Sequence, residues 1–201
     1  ALKNPKNLLL VDVLDLSDLD EEFEQFIEIL MNTFSLHSLT VEDCIMPNAR
    51  PKAEEFPNYV FIVLHTFAAN KNNNYEPVEV DVCLGQNFVL TFHPEPVKSI
   101  DTVFERCEKK APLTKRGSDF LVYAIADAIV DNYFPAVDEL DHKVEELEEE
   151  LFHQPHQHTL NKIYLLKKRI MILRRLIGPQ RDVINMLITR DMPLIQSSTD
   201  I

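Results

Sequence analysis

The sequence has little glycine and no tryptophan, with three glycines among its 201 residues. So few glycines argue against a phosphate-cradling loop, because such loops need glycines where the backbone approaches a phosphate. The three cysteines, Cys44, Cys83 and Cys107, are an odd number and show no Cys-x-x-Cys spacing. They indicate reduced, partly buried thiols of a cytoplasmic protein rather than a disulfide framework.

Targeting and membrane-spanning signals are also missing from the sequence as given. The N-terminus begins Ala-Leu-Lys-Asn, without the charged, apolar and small-residue zones of a signal peptide. No uninterrupted apolar run approaches the roughly 20 residues that cross a bilayer. Because 45% of the residues are hydrophobic, we expect a soluble chain that buries a substantial core.

Positive charge is scarce, since 20 Lys and Arg stand against 33 Asp and Glu and leave a formal net charge of -13. A surface this acidic repels nucleic acid and anionic lipid and raises the local concentration of cations. We therefore expect no nucleic-acid partner, and we expect any functional ligand to be cationic.

The first part of the chain, residues 1–116, has the pattern of an α/β domain with a mixed sheet flanked by helices. Residues 59–67 are apolar on both faces, which predicts a central strand. Residues 78–84 alternate valine or leucine with Glu79, Asp81 and Cys83, which predicts a half-buried strand. The remaining predicted elements are strands over 8–14 and 88–93 and helices over 19–34, 38–44 and 97–110.

The second part, residues 117–190, has the pattern of two long helices. Ser118 is predicted to cap a helix that continues to about Phe152 with a kink at Pro135, and Thr159 to cap the next helix. Both helices repeat apolar residues at 3,4 spacing, which predicts an antiparallel helical hairpin. The two apolar seams are Val137, Leu140, Val144, Leu147 and Leu151, and Ile163, Leu166, Ile170, Leu173 and Ile177.

Charge favours the pairing of these two helices, because the first is acidic and the second is basic. The acidic run 145–150 and the basic stripe 167–175 are therefore interpreted as solvated helix faces, not as ion-binding or nucleic-acid-binding motifs. Exposed ion pairs contribute about 0–1 kcal/mol each, so we expect the apolar seam to dominate the stability of the hairpin.

Two pairs of carboxylates are the candidate metal ligands. Glu42 and Asp43 are adjacent in a short helical segment, where helix capping is the structural alternative. Asp127 and Asp131 are four residues apart in an otherwise apolar stretch, and two acids on one helix face near a core need partners. A hard divalent cation would satisfy them, and an ion pair with Lys52 is the alternative.

A third candidate is the histidine turn between the two long helices. His153, His156 and His158 could bind zinc or nickel through their imidazole groups. Their spacing is not that of a standard zinc site and no cysteine lies near, so a polar turn is the favoured interpretation.

Four stretches of the chain, in this order, resemble the cytoplasmic domain of the CorA family of magnesium and cobalt transporters. They are Leu-Thr-Val-Glu-Asp-Cys over 39–44, Arg-Pro-Lys-Ala-Glu-Glu-Phe-Pro-Asn-Tyr-Val-Phe-Ile-Val-Leu over 50–64, and residues 119–134 and 165–175. The resemblance implies an α/β/α sandwich with a mixed sheet, followed by a long antiparallel helical hairpin. Residues 191–201 would then begin a stalk helix that leads to two membrane spans beyond the sequence given.

The resemblance also implies a function. Members of the family are homopentamers in the inner membrane, and this domain lies on the cytoplasmic side. Divalent ions, Mg²⁺ or Co²⁺, bind between neighbouring subunits and favour the closed state. The residues that match the family's sites are Glu42, Asp43 and Asp127, and Asp131 lies one helical turn further on.

Some features depart from the family pattern or leave other functions open. The Gly-Met-Asn pore signature of the family lies beyond Ile201, so this chain alone would not conduct ions. The histidine turn leaves the related zinc-transporting branch open. We expect a chain that is not an enzyme. A metal-dependent hydrolase built on the four acids, and a purely structural scaffold, are the remaining alternatives.

Overall fold

The fold is taken from a computed structural model. The residues that the structure describes are 7–15, 23–47, 50–69, 75–109, 115–153, 157–189 and 192–195.

Five strands form one mixed sheet in the order β1-β5-β4-β3-β2. Strand β1 pairs with β5 in parallel, and all other neighbours are antiparallel. The mixed sheet and four of its strands agree with the sequence analysis. Strand β2 was missed because Lys-Ala-Glu-Glu carries no apolar alternation. The bounds are Leu9–Leu14 for β1, Lys52–Glu55 for β2, Tyr59–Ala69 for β3, Tyr75–Gly85 for β4 and Phe88–His93 for β5.

Helices cover both faces of this sheet, so the expected α/β/α sandwich is confirmed. One face packs against α1, a π-helical turn over Ile29–Thr33, and α2. The other face packs against α3, α4 and the C-terminal part of α6. The bounds are Phe23–Glu28 for α1, Ser38–Ile45 for α2, Lys98–Glu108 for α3, Ser118–Asp131 for α4, Phe134–His153 for α5 and Gln157–Thr189 for α6. The start of the helix predicted over 19–34 lies outside the described residues.

The predicted single helix from Ser118 to Phe152 is interrupted, and the break lies before the predicted kink. It falls between α4 and α5, where the Asn132 amide nitrogen donates to Thr66 Oγ1 at 3.1 Å and to the Phe67 carbonyl at 3.2 Å. These contacts with β3 hold the break in place. Pro135 is the second residue of α5, where a proline is tolerated because the first turn of a helix needs no N–H donor.

Among the described residues, the helical stretch Ser118–Phe152 is long and apolar enough, by length and composition, to cross a membrane. This helical stretch contains no uninterrupted apolar run of that length, because Asp127 and Asp131 lie within it. In the fold, Leu121, Ile125 and Ile129 have no exposed surface and belong to the core against the sheet. Burial in the core is therefore sufficient to explain the apolar composition of this stretch.

Helices α5 and α6 pack antiparallel, as the charge pattern predicts. Glu139 pairs with Arg169 at 3.4 Å, and Glu150 pairs with Lys162 at 2.6 Å. Only part of the predicted apolar seam is buried between them. Leu140, Leu147 and Leu173 are buried, and the seam residues Val137, Leu151, Ile163, Ile170 and Ile177 are exposed.

Two predicted helix caps have other roles in the structure. Ser118 is the first residue of α4, and its hydroxyl donates to the carbonyls of Gly85 and Gln86 at 2.7 and 3.1 Å. It therefore joins α4 to the turn between β4 and β5. Thr159 lies two residues inside α6, and its hydroxyl donates to Glu150 Oε1 at 2.7 Å. Both predictions were wrong, because Gly117 is the N-cap residue of α4 and Thr159 lies inside α6 rather than before its first residue.

Two side chains form hydrogen bonds with the main-chain N–H and carbonyl of His65, just past the end of the pairing between β2 and β3. Strand β2 begins at Lys52, opposite Val63, so among the described residues none of β2 pairs with His65 on that side of β3. The Gln180 side-chain oxygen accepts from the His65 N–H at 2.8 Å, and the Tyr133 hydroxyl donates to the His65 carbonyl at 2.6 Å. Helix α6 is thereby fixed to the sheet, next to Pro179 within the helix.

We expect replacement of Gln180 by leucine to lower the free energy of unfolding of the chain by about 1–3 kcal/mol. Gln180 is 2% exposed, and an apolar side chain of similar size would leave the His65 N–H buried without an acceptor. Urea unfolding followed by circular dichroism measures the change. The matched control is Asn161→Leu on the exposed surface of α6. Equal effects of the two substitutions would contradict the role assigned to Gln180.

Candidate metal-binding surface

The start of helix α2 is fixed to the sheet by the Tyr59 hydroxyl. That oxygen accepts from the His37 N–H at 3.0 Å and lies 2.8 Å from Thr40 Oγ1. His37 precedes the helix, and its Nδ1 accepts from the Leu39 N–H at 3.2 Å, which caps the first turn. The acidic pair of α2 follows within the next turn, so its position is set by these bonds.

Within that pair, Glu42 is exposed, and Asp43 is partly buried against Lys52. The Lys52 ammonium donates to Asp43 Oδ2 at 2.7 Å and to Glu54 Oε2 at 3.0 Å. It also lies 5.4 Å from the centre of the Phe61 ring. Partial burial opposes the charge on Lys52, but the hydrogen bonds to Asp43 and Glu54 outweigh that effect and raise its pKa. Asp43 therefore already holds one cation from its own chain.

Asp127 and Asp131 are both exposed on helix α4. The sequence analysis placed them near the core with a need for partners, and this was wrong, because the apolar stripe of α4 turns toward the sheet and the two acids turn toward solvent. The proposed alternative partner, Lys52, pairs with Asp43 instead. The two acids are thus available on the surface of an otherwise buried helix.

The four predicted metal ligands do not form a metal site within one chain. Among the described residues, no three His, Cys, Asp or Glu side chains are arranged to hold a metal ion. Glu42 and Asp43 lie on α2, on one face of the sheet, while Asp127 and Asp131 lie on α4, on the opposite face. A site that uses both pairs would need a second copy of the chain.

The histidine turn and the basic stripe have simpler surroundings. His158 is exposed, while His156 and the side chain of His153 lie outside the described residues. In the basic helix, Arg169 and Lys162 pair with acids of α5, whereas Lys167 and Lys168 are exposed. Of these two paired residues only Arg169 belongs to the basic stripe 167–175, and the interpretation of the stripe as a helix face beside an acidic neighbour holds for that residue.

The structure contains a buried polar cluster that the sequence analysis missed. Glu79 and Asp81 are 7% and 2% exposed on β4, and His65, opposite Glu79 on β3, is 9% exposed. The alternating pattern of β4 predicted that these acids face solvent. That was wrong, because α1 and α2 cover this face of the sheet as well. The neighbouring strand 59–67, apolar on both faces, was the available signal, because a strand beside it is also central.

Burial governs the ionisation of this cluster. For Asp81, burial and then the negative charges of Glu79 and Asp43 raise the pKa from its ordinary value of 3.8 to about 8. Burial lowers the pKa of His65, so its imidazole is neutral at pH 7. The Cys44 thiol, next to Cys83 and buried, also has a raised pKa. Cys44 and Cys83 are both buried free cysteines.

Comparison with known protein families identifies the family to which this fold belongs. The model of a family described as CorA-like Mg²⁺ transporter protein matches residues 14–200. The chain belongs to the CorA family.

Two relatives give the extent of the CorA similarity. The chain is 36% identical over 168 residues to a cobalt/magnesium transport protein CorA of Thermotoga maritima, covering 83% of this chain and 48% of that protein. The soluble domain of CorA from Methanocaldococcus jannaschii has the same fold, with a TM-score of 0.78 at 20% identity over 94% of this chain and 74% of that one. The chain thus spans about half the length of the curated CorA relative from Thermotoga.

The zinc-transporting alternative also finds relatives, at lower identity. The chain is 28% identical over 178 residues to the zinc transport protein ZntB of Yersinia pseudotuberculosis, covering 87% of this chain and 53% of that protein. The cobalt/magnesium relative is therefore the better match. These CorA-family relatives are named as metal transporters rather than as enzymes, in agreement with the expectation from the sequence.

We expect Asp81→Asn to stabilise the CorA-family domain relative to the wild type increasingly as the pH rises from about 4 to about 8. The folded chain keeps the Asp81 proton up to about pH 8, whereas the unfolded chain releases it near pH 4. The stabilising contribution of this proton is thus complete below about pH 4 and lost as the pH passes about 8. The slope is at most about 1.4 kcal/mol per pH unit.

Urea unfolding of both proteins at several pH values measures the difference. Asp138→Asn, which removes one carboxyl group from an exposed position of α5, is the matched control. A pH-independent difference for Asp81→Asn would show that Asp81 is ionised in the fold.

Proposed function

We propose that this chain is the regulatory cytoplasmic domain of a CorA-type divalent-cation transporter, which senses Mg²⁺ between neighbouring subunits. The sensing residues are Glu42 and Asp43 of one subunit and Asp127, with Asp131 beside it, of the next. The observation that carries the proposal is the exposure of Asp127 and Asp131 on a helix whose other side is core. Family membership and the net charge of -13 agree with it.

The proposed mechanism is electrostatic. Carboxylates of two subunits repel each other when no ion lies between them, and a divalent cation bound by both removes the repulsion. Ion binding then favours the arrangement in which subunits are close, and loss of the ion loosens the assembly. Sensing therefore follows from a difference in ion affinity between two arrangements of the subunits.

Mg²⁺ is the ion that fits these ligands best. All four candidate side chains offer carboxylate oxygens, which hard cations prefer, and Mg²⁺ is commonly held by one or two carboxylates together with retained waters. Co²⁺ is the second candidate transported or regulatory ion. The partners in the proposed assembly are further copies of this chain in a homopentamer, on the cytoplasmic side of the inner membrane, joined to spans that follow the sequence given.

Lys52 is an internal competitor for the ion in this scheme. Its ammonium lies 2.7 Å from Asp43 Oδ2, which is where a metal ion would approach the carboxylate. Both side chains are about one-third exposed, so the pair is partly screened and weak. A divalent cation that is also attracted by the acids of a second subunit can therefore displace Lys52 from Asp43.

We expect Mg²⁺ to promote self-association of the chain and to raise its melting temperature, and Asp43→Asn and Asp127→Asn to weaken both effects. Mg²⁺ at ten times its dissociation constant would stabilise the bound state by about 1.4 kcal/mol. Sedimentation velocity and thermal unfolding across a Mg²⁺ titration measure the two effects.

The control for this titration is Asp138→Asn, which removes the same charge from an exposed position on α5. It should behave as the wild type at every Mg²⁺ concentration. A Mg²⁺ response that is equally reduced in all three variants would indicate general screening of negative charge and would contradict a specific intersubunit site.

We expect Lys52→Met to shift the Mg²⁺ midpoint of the same titration to a lower concentration by about 1.4- to 5-fold. This range corresponds to the roughly 0.2–1 kcal/mol that an exposed ion pair contributes. Methionine keeps an apolar stem near Phe61 but cannot neutralise Asp43. Lys167→Met, on the exposed face of α6, removes one positive charge elsewhere. An equal shift in both variants would exclude competition at Asp43.

A further inference from the structure

A cavity of about 240 Å³ lies beside the buried polar cluster, on the side of the sheet where α2 ends. It is large enough for several water molecules, since each occupies roughly 30 Å³ in the liquid. His65 and Glu79 line it from β3 and β4, and Glu95 lines it from the segment after β5. Much of the remaining wall consists of three prolines, Pro47, Pro77 and Pro94.

The imidazole of His65 is suited to bind a metal in this cavity. It is 9% exposed, and its Nδ1 is buried without a hydrogen-bond partner among the described residues. A buried ring nitrogen without a partner is uncommon in a folded protein. The other ring nitrogen, Nε2, lies beside Glu79 Oε2 and is the one that would bind the ion. Gln180 and Tyr133 form hydrogen bonds with the main-chain N–H and carbonyl of His65. The backbone that carries the imidazole is therefore fixed beside the cavity.

The spacing between His65 and Glu79 is close to that of two ligands on one metal ion. His65 Nε2 lies 3.9 Å from Glu79 Oε2, which is too far for a hydrogen bond. Two ligand atoms at about 2.0–2.1 Å from a tetrahedral ion are about 3.4 Å apart. A shift of about half an ångström, smaller than a rotamer change, would therefore bring both atoms onto one ion.

The charge of the lining also favours a cation. Glu79 and Glu95 are acids, and no lysine or arginine is among the described residues that line the cavity. Asp81 is two residues from Glu79 on the same face of β4, 2% exposed, and its Oδ1 lacks a hydrogen-bond partner within the described part of the chain. An ion held by Glu79 would add positive charge next to this buried carboxyl group.

His65 and Glu79 supply two ligands. Within the described ranges, no three His, Cys, Asp or Glu side chains are arranged to hold an ion, so a third ligand must move into place. Glu95 can supply the third ligand, since it is exposed and its side chain can rotate into the cavity that it already lines. Water from the open side of the cavity would complete the coordination. Imidazole with carboxylates suits zinc and cobalt ions, whereas Mg²⁺ prefers oxygen ligands alone.

We propose that His65, Glu79 and Glu95 form a second cation site, within a single chain, that binds a divalent transition-metal ion such as Co²⁺ or Zn²⁺. It is separate from the proposed Mg²⁺ site of Glu42, Asp43 and Asp127 and does not require a second subunit. The domain would then respond to two classes of metal ion at two places.

Titration of the chain with Co²⁺, in the presence of excess Mg²⁺, tests the proposal. Co²⁺ absorbs visible light when imidazole and carboxylates coordinate it, and isothermal calorimetry gives the stoichiometry. The expected result is one Co²⁺ ion per chain that Mg²⁺ does not displace. His65→Gln and Glu95→Gln should each weaken binding at least about tenfold, the lower limit for loss of an outer partner of a metal ligand.

The variants separate this site from other acidic and histidine-containing surfaces. Glu95 is exposed, so Glu95→Gln keeps the test valid if His65→Gln fails to fold. His142→Gln is the control, because exposed His142 lies near Glu145 and Glu146 and could bind Co²⁺ itself. Asp138→Asn, at an exposed position of α5, should leave Co²⁺ binding unchanged. Wild-type binding in Glu95→Gln or in folded His65→Gln, or loss of binding in His142→Gln or Asp138→Asn, would overturn the proposal.

Discussion

Strands β3 and β4 are covered by helices on both faces, and this double burial determines where the rest of the chain can lie. Phe61, Ile62 and Val63 of β3 are completely buried, with successive side chains on opposite faces of the sheet. Apolar area buried on both faces contributes about 25 cal/mol per Å² on each side, so removal of either helical layer would be costly. Helix α2, with its acidic pair, and helix α4, with Asp127, take their positions from this sheet.

Most strands and helices could be predicted from the sequence because their signals are local. The predicted central strand, the short helix at Ser38 and the two long helices all depend on apolar spacing within one segment. The roles of Ser118 and Gln180 were beyond such reasoning, because their hydrogen-bond partners lie 33 and 115 residues away. Glu79 and Asp81 were placed on the wrong side for the same reason, since the helix that covers them is remote in sequence.

For the candidate site, in contrast, local sequence signals are weak and the packing of the fold supplies most of the information. Glu42, Asp43 and Asp127 were candidate ligands from their pattern alone, but adjacent or isolated acids are weak signals, and the role proposed for them came from resemblance to a family. The structure adds the ion pair between Asp43 and Lys52 and the exposure of Asp127. Both are consequences of packing: α4 turns its apolar side to the sheet and leaves its acids outside, and the end of β2 brings a lysine beside α2.

The acids of this domain thus fall into two groups with different environments. Those on α2 and α4 are partly or fully exposed, where water and salt reduce their interactions to about 1 kcal/mol or less. Those on β4 are buried, where an uncompensated charge is unfavourable and a proton or a cation has a large effect. Exposed acids suit an ion that must come and go with its concentration in the cell, whereas buried acids suit a ligand that stays.

Pro179 lies inside α6, one residue before the glutamine that fixes this helix to β3. A proline inside a helix lacks the N–H that would bond to the carbonyl four residues earlier, so the helix bends there more easily than elsewhere. The 22 residues from Gln157 to Gly178 form an arm of about 33 Å beyond that point. A rotation of about 5° at the proline would move the far end of the arm by about 3 Å. A bend at Pro179 would therefore displace the far end of α6 most and the contact of Gln180 with β3 least.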